Sequence, residues 1–160
     1  MPLVLLVFRS LMARMMITNV DEIYAYALKL LKSRDYSVAT LRAKLEGKFG
    51  SSPDAVIDQL LRKNFLNDRR FGQNHVEKRK EKGPAQLREE LLARGIVAEL
   101  ADEILSQADW PSLHEALNVK MKDWKLRAPL QSRDAARLFR ALQRLGFDED
   151  AIREEIETLT

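Results

Sequence analysis

Apolar residues recur along this chain at helical spacing, and strand-type alternation is absent outside the short, ambiguous run Leu3–Phe8. From Val20 to Lys32 the spacing places Ile23, Ala27, Leu30 and Leu31 on one helix face, after a start near Asn19-Val20-Asp21. Ser37 reads as the cap of a second helix whose stripe is Leu41 and Leu45 and which ends near Gly47 or Gly50. Ser52-Pro53-Asp54 opens a third, with Val56, Ile57, Leu60 and Leu61 inward, and Phe65-Leu66 closes the unit. Asp68 then reads as the N-cap of a helix that carries a basic run. Gly83-Pro84 breaks that run and starts another helix, which ends at Gly95 with Ile96 packing back on Leu91 or Leu92.

The pattern repeats. Leu87, Leu91, Gly95, Ile96 and Leu105 match Leu138, Leu142, Gly146, Phe147 and Ile156 at a constant offset of 51 residues. Leu41, Leu45, Phe49 and Leu60 precede the first set by about 46, with the slippage in a Gly-rich turn. Gly95 and Gly146 are therefore expected at equivalent helix ends with positive φ. The predicted fold is all-α: three tandem three-helix repeats at 17–66, 67–109 and 110–160, stacked into an elongated, curved body. Ser112 starts the third repeat, with Leu113, Leu117 and Met121 inward and Trp110 and Trp124 as packing residues near its ends. Lys125–Ser132 is the longest connector and reads equally as a hinge or a surface loop.

Residues 1–16 stand apart as an N-terminal extension, ahead of an alternative start at Met15 or Met16. Leu3–Phe8 is far shorter than the about 20 residues a bilayer requires, and its basic residues follow the apolar run instead of leading it. The expectation is a segment that is frayed or packed on the first repeat.

Charge is high but nearly balanced: 27 basic against 24 acidic residues, net +3, so the chain is no polycation. Its distribution matters more. Arg69 to Lys82 holds six basic residues against two acids, and Asp148 to Glu157 holds six acids against one Arg. The absence of Cys excludes disulfides, thiolate catalysis and Cys-ligated metal, and fits a reducing cytoplasm.

Catalytic constellations are missing. His75 and His114 lack metal-binding spacing and read as structural, and no phosphate loop, dinucleotide fingerprint or nucleophile elbow occurs. Asp148, Glu149 and Asp150 read as helix-capping acids. The expectation is a binding protein without cofactor or metal. On a continuous helix Phe71, His75, Lys78 and Lys82 would share a stripe that turns from apolar to cationic. Two readings of this run stay open, a solvated face or an anion-binding one.

Leu66-Asn67-Asp68-Arg69-Arg70-Phe71, Gly83-Pro84, Leu87, Glu90-Leu91 and Gly95-Ile96 resemble the signature of the RecX family. Tyr26-Ala27-Leu28, Leu31, Ser37, Leu41-Arg42 and Lys44-Leu45 are similar to that family's opening repeat. The resemblance implies a cytoplasmic regulator of the recombinase RecA that lies on RecA–DNA filaments, with weak direct DNA binding of its own. It favours the binding reading for Arg69, Arg70, Lys78, Arg79, Lys80, Lys82, Arg88 and Arg94. Lys29, Lys32, Arg42, Lys44 and Lys48 are secondary candidates. Two other functions fit the residues: a helix-turn-helix DNA binder reading with Leu87–Arg94, and a helical scaffold for another protein.

Overall fold

The structure, a computed structural model, describes residues 2–160, with side chains described for 3–12 and 19–160. Among these residues it is all-helical. In chain order the helices are α1 (Pro2–Ser33), α2 (Val38–Phe49), α3 (Asp54–Arg62), α4 (Asp68–Glu77), a 3-10 turn (Lys80–Lys82), α5 (Pro84–Ala93), α6 (Ala98–Gln107), α7 (Leu113–Asp123), α8 (Ser132–Arg144) and α9 (Glu149–Glu157). Two compact units result: residues 1–72 with 94–96, and residues 73–93 with 97–160.

In the first unit, α1 corrects the expected start near Asn19. The helix runs unbroken from Pro2, because no Gly or Pro interrupts the sequence between Pro2 and Ser33, and Pro suits a first helical position. Leu3, Val4, Leu5, Leu6, Val7, Phe8, Leu11 and Met12 are all exposed. Ile23 and Ala27 of α1 close on Leu41 and Leu45 of α2 and on Val56, Ile57 and Leu60 of α3, with Leu66 completing the core. Each large aliphatic side chain buried there contributes roughly 1.5–3 kcal/mol.

Capping sets the boundaries. Ser37 caps α2 as expected, accepting from the Thr40 N–H at 3.2 Å, and Gly50 in the left-handed region ends it. The Ser37 hydroxyl is fully buried and donates to the Arg94 carbonyl at 2.6 Å. At the end of α3, Asn64 takes the left-handed conformation that glycine usually supplies (φ +58°), while Phe65 and Leu66 N–H groups both donate to the Leu60 carbonyl. That sharp exit buries Leu66 and turns Phe65 outward, so Leu66 alone closes the unit; Leu61, expected inward, is also exposed.

Asp68 is not the cap of α4. Asn67 is: its Oδ1 accepts from the Arg70 N–H at 3.0 Å, and α4 begins at Asp68. Asp68 instead reaches back to α2, its Oδ1 accepting from the Val38 N–H at 2.8 Å, one of the orphan donors of that helix start. Burial raises the Asp68 carboxyl above its ordinary value, against the lowering effect of that bond, and nearby Asp35 raises it further. Asp68→Ala is therefore expected to cost about 1–2 kcal/mol in denaturant unfolding, and Asp68→Asn, which keeps the acceptor, much less. Equal losses in the two variants would show that the charge and not the bond matters.

In the second unit, α7 opens on a full capping box between Ser112 and Glu115, and Asp148 caps α9 by accepting from the Ala151 N–H at 3.0 Å. Ala116 and Leu117 of α7, Leu138 and Leu142 of α8 and Ile152 and Ile156 of α9 form its terminal core. The 125–132 connector is pinned through Leu130, which is buried and donates its N–H to the Leu159 carbonyl at 2.7 Å. The Trp110 indole donates to the Leu105 carbonyl at 2.9 Å, as a packing residue would. Gly95 and Gly146 both have positive φ, +78° and +94°, as the 51-residue offset predicts.

Candidate macromolecular interface

The basic run does not form one helix. α4 stops at Glu77, the chain passes through the Lys80–Lys82 turn, and Gly83 (φ +81°) hands over to Pro84 at the first position of α5. The expected stripe Phe71–His75–Lys78–Lys82 is thereby broken: Phe71 and His75 are buried on α4, and Lys82 lies beyond its end. Folding back brings Lys82 Nζ to within 2.7 Å of Glu90 Oε1 on α5. His75 Nε2 meets Glu90 Oε2 at 2.8 Å, and Arg79 Nη1 meets His75 Nδ1 at 3.3 Å. Since guanidinium can only donate, this geometry calls for a neutral imidazole with its proton on Nε2.

Glu90 is the centre of this network. The hydrogen bonds from Lys82 first and His75 second hold its carboxyl down at about 2, against the usual 4.5, outweighing the opposing effect of burial. A carboxylate depressed in the folded state contributes stability that is fully present above the unfolded value and is lost as pH falls through the folded one. The stability difference between the parent and Glu90→Gln should thus be constant above pH 4.5 and shrink between pH 4.5 and about 2, measured by urea unfolding at each pH. A difference unchanged across that window would contradict the network.

Most of the other cations are also held internally. Lys80 pairs with Glu77 at 2.8 Å, and Arg88 grips Asp102 through Nε at 2.7 Å and Nη2 at 3.3 Å. That pair raises the guanidinium and lowers the carboxyl. In the first unit Arg70 donates to the carbonyls of Asn64 and Phe65 at 2.8 and 3.1 Å, Arg94 lies over the Phe71 ring, and Arg69 is exposed. Arg42 pairs with Asp54 at 2.9 Å and Lys48 sits 4.0 Å above the Tyr26 ring, whereas Lys29, Lys32 and Lys44 are exposed and form no ion pair among the described residues. Lys78 is the one basic candidate of the second unit left exposed without an ionic partner among the described residues.

A row that charge patterning along the sequence does not single out emerges on α8. Arg133, Arg137, Arg140 and Arg144, spaced by four, three and four residues, are all exposed. The spacing alone could have revealed it, but the row lies beside the acidic tail that dominates the charge pattern. Among the described residues no trio of His, Cys, Asp or Glu is arranged to hold a metal ion, and no helix is long and apolar enough to cross a membrane.

Among the described residues the protein is all-α, and Lys82 and Arg88 tie α5 to the turn before it and to α6. No family model matches the chain. Individual relatives do. A regulatory protein RecX of Thermus thermophilus is 40% identical over 129 residues, covering 79% of this chain and 84% of its own. One from Trichlorobacter lovleyi is 34% identical over 147 residues, covering 86% and 95%. The crystal structure of RecX from Lactobacillus salivarius superposes with a TM-score of 0.70 over 89% of this chain and 99% of its own, at 18% identity, a likeness of fold. The chain belongs to the RecX family of regulatory proteins.

Proposed function

We propose that this protein binds RecA and RecA–DNA filaments and restrains RecA-dependent ATP hydrolysis and strand exchange, thereby modulating recombination and DNA repair. The observation that carries the reading is the 40% identity to a regulatory protein RecX across most of both chains. On this reading the protein acts in the cytoplasm by binding alone. It holds no nucleotide, and the hydrolysis it limits is RecA's. The three-helix repeats at 17–66, 67–109 and 110–160 belong to the same proposal, supported by the paired positive-φ glycines at 95 and 146.

Among the cations that the sequence singles out, the exposed Lys78, Arg94, Lys29, Lys32 and Lys44 are best placed to meet an external anion. The internally paired Arg79, Lys82 and Arg88 serve instead to fix the surface that carries them. This pairing weighs against α5 as a DNA-reading helix, because Arg88 is committed to Asp102 and Gln86 donates to Glu90 at 3.5 Å. Co-sedimentation with DNA alone, RecA alone and the RecA–DNA filament separates the readings. The filament should retain the protein best. Equal retention by naked DNA would favour a DNA-binding protein, and no retention by any of the three a scaffold for another partner.

A further inference from the structure

The α8 arginines carry an inference independent of RecA. At about 100° per residue, Arg133, Arg137, Arg140 and Arg144 fall within roughly 60° of one another and form a straight row about 16 Å long. The opposite face holds the buried Leu138 and Leu142, so the row cannot turn inward. Net charge here exceeds that between Arg69 and Lys82, +6 over 25 residues against +4 over 14, although the shorter run is the denser. Residues 120–144 hold eight basic against two acidic residues, a net +6 in a chain of net +3, so the remainder is net negative.

These charges also lack an acidic partner among the described residues, although acidic α9 follows directly. Arg144 Nε donates to the Arg140 carbonyl at 3.3 Å. Three of the five α9 acids have other partners: Asp150 takes Arg153, Glu155 takes His114, and Glu149 takes Gln143. The row is stiffened at one point. The Arg137 guanidinium lies 3.8 Å over the Trp124 ring, and Trp124 itself is half-buried against the terminal core. Its exposed face is therefore taken by an arginine and offers no platform to an unpaired base.

We infer that this face of α8 binds the sugar-phosphate backbone of duplex nucleic acid without reading its sequence. A straight row of forked guanidinium groups on one helix face suits a polymer of evenly spaced phosphates. Duplex DNA carries one phosphate per about 1.7 Å of its axis, so a row about 16 Å long is long enough to reach several. Single-strand binders combine such charge with exposed stacking aromatics, which Trp124 does not supply. Among the exposed side chains between the arginines only Gln143 is of the Asn/Gln type that reads adenine. An acidic protein surface is the competing partner.

The test is fluorescence anisotropy of the full chain with a labelled random-sequence duplex across a salt series, with no RecA present. Changing Arg133, Arg140 and Arg144 together to Ala leaves the Arg137–Trp124 stack intact, and circular dichroism should show the parent's melting temperature. The salt slope of log K should flatten by about 3, at roughly 0.9 for each phosphate no longer neutralised, with affinity at 0.1 M salt down about a hundredfold. Lys at the same three positions keeps the charge and should retain most of the slope. An unchanged slope in the alanine variant, no duplex binding by the parent, or tighter binding to a single strand overturns the inference. So does loss of RecA binding in that variant with duplex binding intact, which would assign the row to a protein surface. Duplex binding abolished in the variant while RecA is still restrained leaves the inference standing and places the regulatory contact elsewhere.

Discussion

Gly95→Val is expected to destabilise the protein by about 3 kcal/mol or more, and Gly146→Val by only about 1–2 kcal/mol, although both glycines follow a helix with positive φ. The backbone term is shared: φ is +78° at Gly95 and +94° at Gly146, where a β-branched residue is strained. The surroundings differ. A Cβ on Gly95 would overlap the Ala39 Cβ, so α2 or the chain after α5 must move, whereas nothing lies within 4 Å of a Cβ on Gly146. Overpacking of that kind adds roughly 1–3 kcal/mol to the strain. Urea unfolding of the two variants decides the matter. Equal losses would mean that the approach of Ala39 to Gly95 contributes nothing.

Reversing Lys78, Arg79 and Lys82 together to Glu is expected to lower stability by on the order of 2 kcal/mol, chiefly through Arg79 and Lys82. On a freely solvated stripe the triple change would leave the fold alone. Here it removes the Lys82–Glu90 bond and the Arg79–His75 bond, and sets new carboxylates beside Glu90. Glu90 keeps about a quarter of its side-chain exposure, so the loss stays below that of a deeply buried pair. Lys78→Glu alone, at an exposed position without an ion pair among the described residues, should melt with the parent while weakening attachment to a RecA–DNA filament. Thermal melting and filament co-sedimentation of the single and triple variants separate the structural from the binding contribution. A triple variant as stable as the parent would contradict the network.

Local rules made much of the fold legible. Ser37, Ser112 and Asp148 announce helix starts, Gly50, Gly95 and Gly146 announce ends, and the 51-residue offset pairs two of those glycines. Misreadings arose where a nonlocal or unusual partner decides. Asn67 and Asp68 are both good caps in isolation, and only the arrival of Val38 frees Asp68 for another helix. Asn64 ends α3 in a conformation usually left to glycine, which turns out Phe65. The basic run looks continuous in sequence because spacing alone does not show that Lys82 can bend back to Glu90. Charge density along the sequence likewise favours the run that folding largely pairs over the arginine row that it leaves exposed.

The proposed regulation of RecA is measured most directly as RecA-dependent ATP hydrolysis on single-stranded DNA, titrated with this protein. On the proposed reading, in which the protein lies on RecA–DNA filaments, the rate should fall at protein concentrations well below that of RecA. An unchanged rate with the protein at saturation would contradict the account.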